Sequence, residues 1–229
     1  MSQQMTVVLA HGAWADGSSW SKVISALAQK GLKAVTVPMP LTSLSDDVAA
    51  LDRTLERVQG PVLLAGHAYA GAVIGATRNE KVKSLVYIAA LAPAEGQTVA
   101  EVFYMNEPHP QAPKLAPDSH GLIWLPEAAF ATAFAPNASS EEQAVLAAVQ
   151  RPISPACITV PVGRPLWLDV ATRYLLAEQD RMIAPTTQRF MAERMKARIT
   201  THQVDHTPIV TAPAAVVDLL IDAANDITT

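Results

Sequence analysis

Three stretches of the chain carry side chains suited to acyl transfer. Gly66-His67-Ala68-Tyr69-Ala70-Gly71 has the spacing of the tight strand-to-helix turn that presents a nucleophilic serine, with small residues two before and two after the centre. The central residue is Ala68, whose methyl group cannot attack a carbonyl. His206, in Val204-Asp205-His206-Thr207-Pro208, follows an apolar run and is the candidate general base. Asp180, in Ala177-Glu178-Gln179-Asp180-Arg181, is the candidate acid that would fix the imidazole tautomer and stabilise its charged form. Nucleophile position, acid and base thus occur in the chain order that goes with such a turn. Glu178 is a second, weaker acid because it lies one residue past its run, and Asp205 is too near His206 in sequence to orient it. His11-Gly12-Ala13-Trp14 supplies the remaining part, a loop whose Ala13 amide could join the Tyr69 amide as an oxyanion hole. Gly12 permits the turn and the small Ala13 permits close approach, while His11 and His67 read as structural. Neither a Gly-x-Gly dinucleotide turn nor a Gly-Lys-Ser/Thr phosphate loop occurs at this point.

These groups need a scaffold that delivers them to one place. Short apolar, β-rich runs at Met5–Ala10, Lys33–Val37, Val62–Ala65, Ser84–Ala90, Thr172–Ala177 and Arg198–Val204 read as six strands. Amphipathic stretches over 18–29, 45–58, 71–78, 185–196 and 212–224 read as the helices between them. Alternation of this kind predicts an α/β fold with a mostly parallel sheet flanked by helices, and near-continuous apolar strands predict burial on both faces. Each candidate residue then falls just beyond the carboxyl end of a strand. Residues 94–166 break the alternation with many prolines, three short helical stretches (98–106, 126–134 and 140–149) and no clear strand. That predicts a single domain over 1–229 with a helical cap inserted late in the sheet.

Composition narrows the function classes. Half of the 229 residues are hydrophobic and 17% are charged, as in a globular enzyme. A net charge of −4 without a Lys/Arg run argues against nucleic acid or an anionic membrane as partner. The lone Cys157 excludes an intrachain disulfide and reads as a small buried hydrophobe. No apolar run reaches the length of a membrane span, and residues 1–10 lack the pattern of a secretory leader, so a cytoplasmic location is the expectation.

On His11–Trp20, Leu64–Gly71, Leu85–Pro93 and Tyr174–Met195 the chain resembles compact bacterial members of the α/β-hydrolase superfamily, related to plant methyl-ester esterases and hydroxynitrile lyases. Such members read Gly-His-Ser-Tyr-Ala-Gly or Gly-His-Ser-Tyr-Gly-Gly at the turn, so this chain departs at Ala68 alone. The resemblance implies a serine esterase or lactonase acting on a small, fairly apolar ester, with no metal and no organic cofactor. Survival of every partner residue favours an engineered serine-to-alanine replacement, with an inactive product, over a natural pseudoenzyme that binds ligand. Cofactor-free lyase or oxygenase chemistry is a further alternative on the same fold. The lyases place lysine after the catalytic histidine where this chain has Thr207, which speaks against cyanohydrin cleavage. Specificity should come from the cap aromatics Phe103, Tyr104, Trp124, Phe130 and Phe134, with Met105 and Leu125, although about half of these suffice to build the cap's own core. Trp14, Trp124 and Phe103 are the substrate contacts expected from this set, and a homodimer through the cap is compatible with the fold.

Overall fold

The structure is a computed structural model and describes residues 5–228. Six strands form one sheet in the order β2–β1–β3–β4–β5–β6: β1 Thr6–Ala10, β2 Lys33–Thr36, β3 Val62–His67, β4 Val82–Ile88, β5 Ala171–Ala177 and β6 Arg198–His202. Every strand pairing is parallel, so the expectation of a mostly parallel sheet is met in full. All residues of β1 and β3 are buried, because helices cover both faces and leave no side on which a polar side chain could reach water.

The helices are α1 Ser21–Gln29, α2 Leu44–Arg57, α3 Ala70–Ala76, α4 Val99–Phe103, α5 Glu127–Ala129, α6 Ser140–Val149, α7 Pro185–Arg194, α8 Pro208–Thr211 and α9 Pro213–Thr228. Local chemistry sets their starts. Ser43 caps α2 by accepting from the Asp46 amide, and Asp46 and Asp47 place negative charge at its positive end. Thr98 and Ser139 build capping boxes with Glu101 and Glu142 at α4 and α6.

Several boundaries differ from the sequence reading. β3 continues through His67, because its last residues still pair with β4 up to Ile88. The helix after the turn stops at Ala76, not Arg78, where Thr77 becomes extended and its hydroxyl binds Asp52. β6 ends at His202, whose carbonyl accepts the Glu178 amide as the two loops diverge. The stretch expected as a helix over 98–106 closes after Phe103, and that over 126–134 changes from α5 to a wider π-type turn at Phe130–Phe134. Between β4 and β5 the chain forms no extended strand but closes two isolated antiparallel bridges at Ile123, with Pro117 and Ile153. Among the described residues no helix is long and apolar enough to cross a membrane.

Strand order fixes where ligands gather. The chain passes from β1 outward to β2 and returns to the other side of β1 as β3, so the direction of winding reverses between β1 and β3. The crevice at the carboxyl ends of such a pair is the usual ligand site of a parallel sheet.

Candidate active site

The turn after β3 is built around Ala68, which holds the left-handed conformation (φ 51°). A non-glycine residue there costs about 1–2 kcal/mol, so the surroundings must impose it. The Ala68 carbonyl accepts from both Leu91 and Gly71 amides (2.9 and 3.1 Å), and its own amide reaches the Ile88 carbonyl at 3.3 Å. Small residues make the turn possible. A Cβ on Gly71 would lie 2.2 Å from the Leu91 carbonyl oxygen, and one on Gly66 would lie 3.0 Å from the Ala70 carbonyl. Gly12 has the same role from the β1 side: a Cβ there would meet the Ala68 Cβ at 2.9 Å.

His206 lies past β6 and is 2% exposed. Its Nδ1 lies 2.8 Å from Asp180 Oδ2. Asp180 also accepts the Met182 and Ile183 amides on Oδ1 (2.7 and 2.9 Å) and Gln188 Nε2 on Oδ2 (2.8 Å). A carboxylate collecting so many donors is the acceptor, so the proton of this contact is assigned to His206 Nδ1. The histidine is held from behind as well. His67 Nε2 donates to the His206 carbonyl at 2.7 Å, and the two rings lie 5.0 Å apart. Burial drives the His67 pKa down to about 3, so this second imidazole stays neutral, with Nδ1 lacking a partner among the described residues. His11, also buried and depressed by burial, donates Nδ1 to the Gly12 carbonyl at 2.9 Å and shapes the loop after β1.

The two alternative acids do other work. Glu178 is exposed and pairs with Gln203 and Arg189. Asp205 is fully buried and accepts from the Thr207 amide, the Thr211 hydroxyl and the Asn137 amide, which ties the start of α8 to the insertion.

Ala13 and Tyr69 both border the space above Ala68, and neither amide donates to a protein acceptor among the described residues. The Tyr69 side chain turns the other way. Its hydroxyl donates to Asp47 Oδ2 at 2.8 Å, and Asp47 Oδ1 accepts the Leu41 amide at 2.8 Å. The Cys157 thiol lies 3.7 Å from the same carboxylate. Burial pushes the Asp47 carboxyl above its usual range despite these donors, and pushes the Cys157 thiol up to about 12, which removes it as a nucleophile. Asp47 was legible only as a helix-opening residue; nothing in its spacing announces a contact with Tyr69. Gln188 was missed for the same reason, since it meets Asp180 only through the path of α7.

A cavity of about 80 Å³ opens over Ala68, bordered by His206, Ala13, Trp14, Tyr69 and apolar side chains from the insertion and from the loop after β5. Of the expected substrate contacts, Trp14 and Phe103 line it. Trp14 is clamped by its indole N–H on the Ile123 carbonyl (3.0 Å) and stands edge-on to Phe134. Trp124 does not line the cavity: it is 45% exposed and donates to Asp118, because the bridge at Ile123 turns alternate side chains to opposite sides. Phe130, Phe134 and Leu125 are buried in the hydrophobic core, with Phe134 against Trp14 and His206, and Tyr104 reaches the cavity while remaining half exposed. Met182, Ile183, Ile153 and Ile158 complete the wall, positions no local pattern singled out.

The sequence model of the alpha/beta hydrolase family matches residues 7–219. A comparison with curated protein sequences returned no match. Among solved structures, that of polyneuridine aldehyde esterase is similar with a TM-score of 0.84 and 19% identity, covering 96% of this chain and 99% of the other. A pyrethroid hydrolase from Sphingobium faniae gives a TM-score of 0.82 at 20% identity, over 97% and 98% of the two chains. Tomato methylketone synthase I gives 0.82 at 15% identity, over 99% of each. At such identities the likeness speaks for the fold.

Proposed function

The chain belongs to the alpha/beta hydrolase family, and from that premise we propose that its cavity is the site of a carboxylic-ester hydrolase for a small, largely apolar ester, held here in a form without a nucleophile. The observation that carries this reading is the His206–Asp180 pair at the edge of a cavity floored by Ala68. Two of the similar structures are named as an esterase and a pyrethroid hydrolase, which supports the same class.

The pairing of His206 with Asp180 beside Ala68 supports the following roles. A hydroxyl at position 68 would lose its proton to His206 Nε2 as it attacks the ester carbon. Asp180 would stabilise the imidazolium, and the Ala13 and Tyr69 amides would take the oxyanion. The alcohol would leave with the proton from His206, and water activated by the same nitrogen would release the acid. With Ala68 the first bond cannot form, so this chain binds ester without acyl-enzyme turnover. The Ala68→Ser variant is expected to hydrolyse short p-nitrophenyl esters at least about 10³-fold faster than the parent, with acyl-enzyme burst kinetics. Complete inactivity of a folded Ala68→Ser protein overturns the proposal.

One observation favours a second reading. The base, its acid and the two unspent amides are complete without a hydroxyl, which suffices to remove a proton from carbon and hold the resulting enolate, the chemistry of a cofactor-free lyase or oxygenase. Oxygen uptake by the parent with a quinolone-type substrate, lost in His206→Gln, would establish it. No uptake with retained ester binding would eliminate the oxygenase form of this reading.

A further inference from the structure

A second and larger cavity, about 410 Å³, adjoins the first. Phe103, Tyr104, Leu115 and Met182 line both, so the two share a wall. We propose that this outer chamber is a binding subsite for the long arm of an extended ester whose far end carries a carboxylate. This rests on the ester-site reading above and adds the substrate's length and charge to it.

Three observations carry the proposal. The inner cavity of about 80 Å³ is far below the ~300–1,000 Å³ usual for a small-molecule site, whereas the two together reach that range. An ester with its carbonyl over Ala68 can place one short arm inside, and the other has a route into the outer chamber along the shared wall that holds the Phe103–Tyr104 pair, whose rings meet edge-to-face at 4.8 Å. The chemistry of the walls also changes along that path. The inner cavity has no Lys, Arg, Asp or Glu in its wall, while the outer one is mostly apolar with one such residue, Lys114. Lys114 makes no ion pair among the described residues, and Glu107 and His109 of the same loop do not line the chamber. Finally, Asn106 stands at the chamber with its amide nitrogen held by the Thr187 hydroxyl (2.8 Å), which fixes the side chain as a second polar contact. A mostly apolar wall that carries one exposed lysine without an ion pair suits an alkyl chain ending in an anion.

The test measures ligand binding to the Ala68 chain as it stands. Calorimetry compares 6-acetoxyhexanoate and 8-acetoxyoctanoate with hexyl and octyl acetate. The carboxylates should bind about threefold or more tighter, in keeping with a partly exposed ion pair, and the difference should shrink at high salt. Lys114→Glu should reverse the preference. Equal affinities in the parent, or a preference that Lys114→Glu leaves intact, overturn the proposal. Failure of the ester reading looks different: a folded Ala68→Ser variant that hydrolyses none of the four compounds sinks that reading, even if the carboxylate preference is observed.

Discussion

Ala68 keeps the backbone that a nucleophile requires while offering only a methyl group. Its left-handed φ is imposed by the Leu91 and Gly71 amides and not by anything the alanine side chain does. Ala68→Ser should therefore change stability by less than about 1 kcal/mol, since both residues meet the same backbone cost, and thermal unfolding of the two proteins checks this. Added to the Ala68→Ser variant, Asp180→Asn should cut kcat by about 10⁴ with little change in KM, because the wrong imidazole tautomer spoils proton transfer and not binding; a fall below tenfold would assign His206 a different partner. His67 makes a separate prediction. Its folded pKa of about 3 lies below the unfolded value of 6.5, so the unfolded chain binds the extra proton and stability falls as pH drops from 6.5 towards 3. Removing that imidazole with His67→Gln should flatten the slope of unfolding free energy against pH by up to about 1.4 kcal/mol per pH unit in this window, relative to the parent. Identical slopes from urea unfolding at pH 4, 5 and 6 would show that His67 does not differ between the two states.

At the scale of elements, the site is a meeting of loops held by strands, and the loops are tied by groups that never touch the cavity. Asp47 on α2 joins the turn after β3, through Tyr69, to the loop before α2, through Leu41. The Leu41 carbonyl in turn accepts the Ser154 amide, which anchors the segment whose neighbours Ile153 and Ile158 wall the cavity. Tyr69→Phe leaves a buried carboxylate short of one donor, at a cost of about 1–3 kcal/mol. Combined with Ala68→Ser, it should lower kcat more than it raises KM, since a shifted Tyr69 amide weakens only the contact to the developing oxyanion. Steady-state kinetics on one p-nitrophenyl ester separate the two effects, and a pure KM change would place Tyr69 in binding alone. The sequence made Ala68, Asp180 and His206 legible at this level because each lies beside a strand end that the apolar pattern marks. It did not make Asp47 or Gln188 legible, because their partners are 22 and 8 residues away along paths set by packing.

For the molecule as a whole, the parallel order β2–β1–β3–β4–β5–β6 places the loops after β1 and β3 side by side and carries β5 and β6 to the far flank. His206 must then reach back across the sheet ends to Ala68, and the grip of His67 on its carbonyl and of Asp205 on the following turn hold that reach. The insertion closes the cavity from above with Phe103, Ile123, Ile153 and Ile158, and this is where the local reading of the sequence was weakest. Aromatic content drew attention to Trp124, yet the bridge at Ile123 turns it to solvent, while aliphatic residues with no distinguishing pattern form the wall. The sequence by itself determined the strand–helix alternation, the turn at 66–71, and the identity and order of Asp180 and His206. These depend on local signals: apolar runs of strand length, glycines where a Cβ cannot fit, and polar residues just past strand ends. Tertiary structure alone decided which side chains face the cavity, how Asp47 and Gln188 buttress it, and that a second chamber with Lys114 adjoins it. Those contacts join residues far apart in the chain through packing, and packing leaves no period or spacing for a sequence to display.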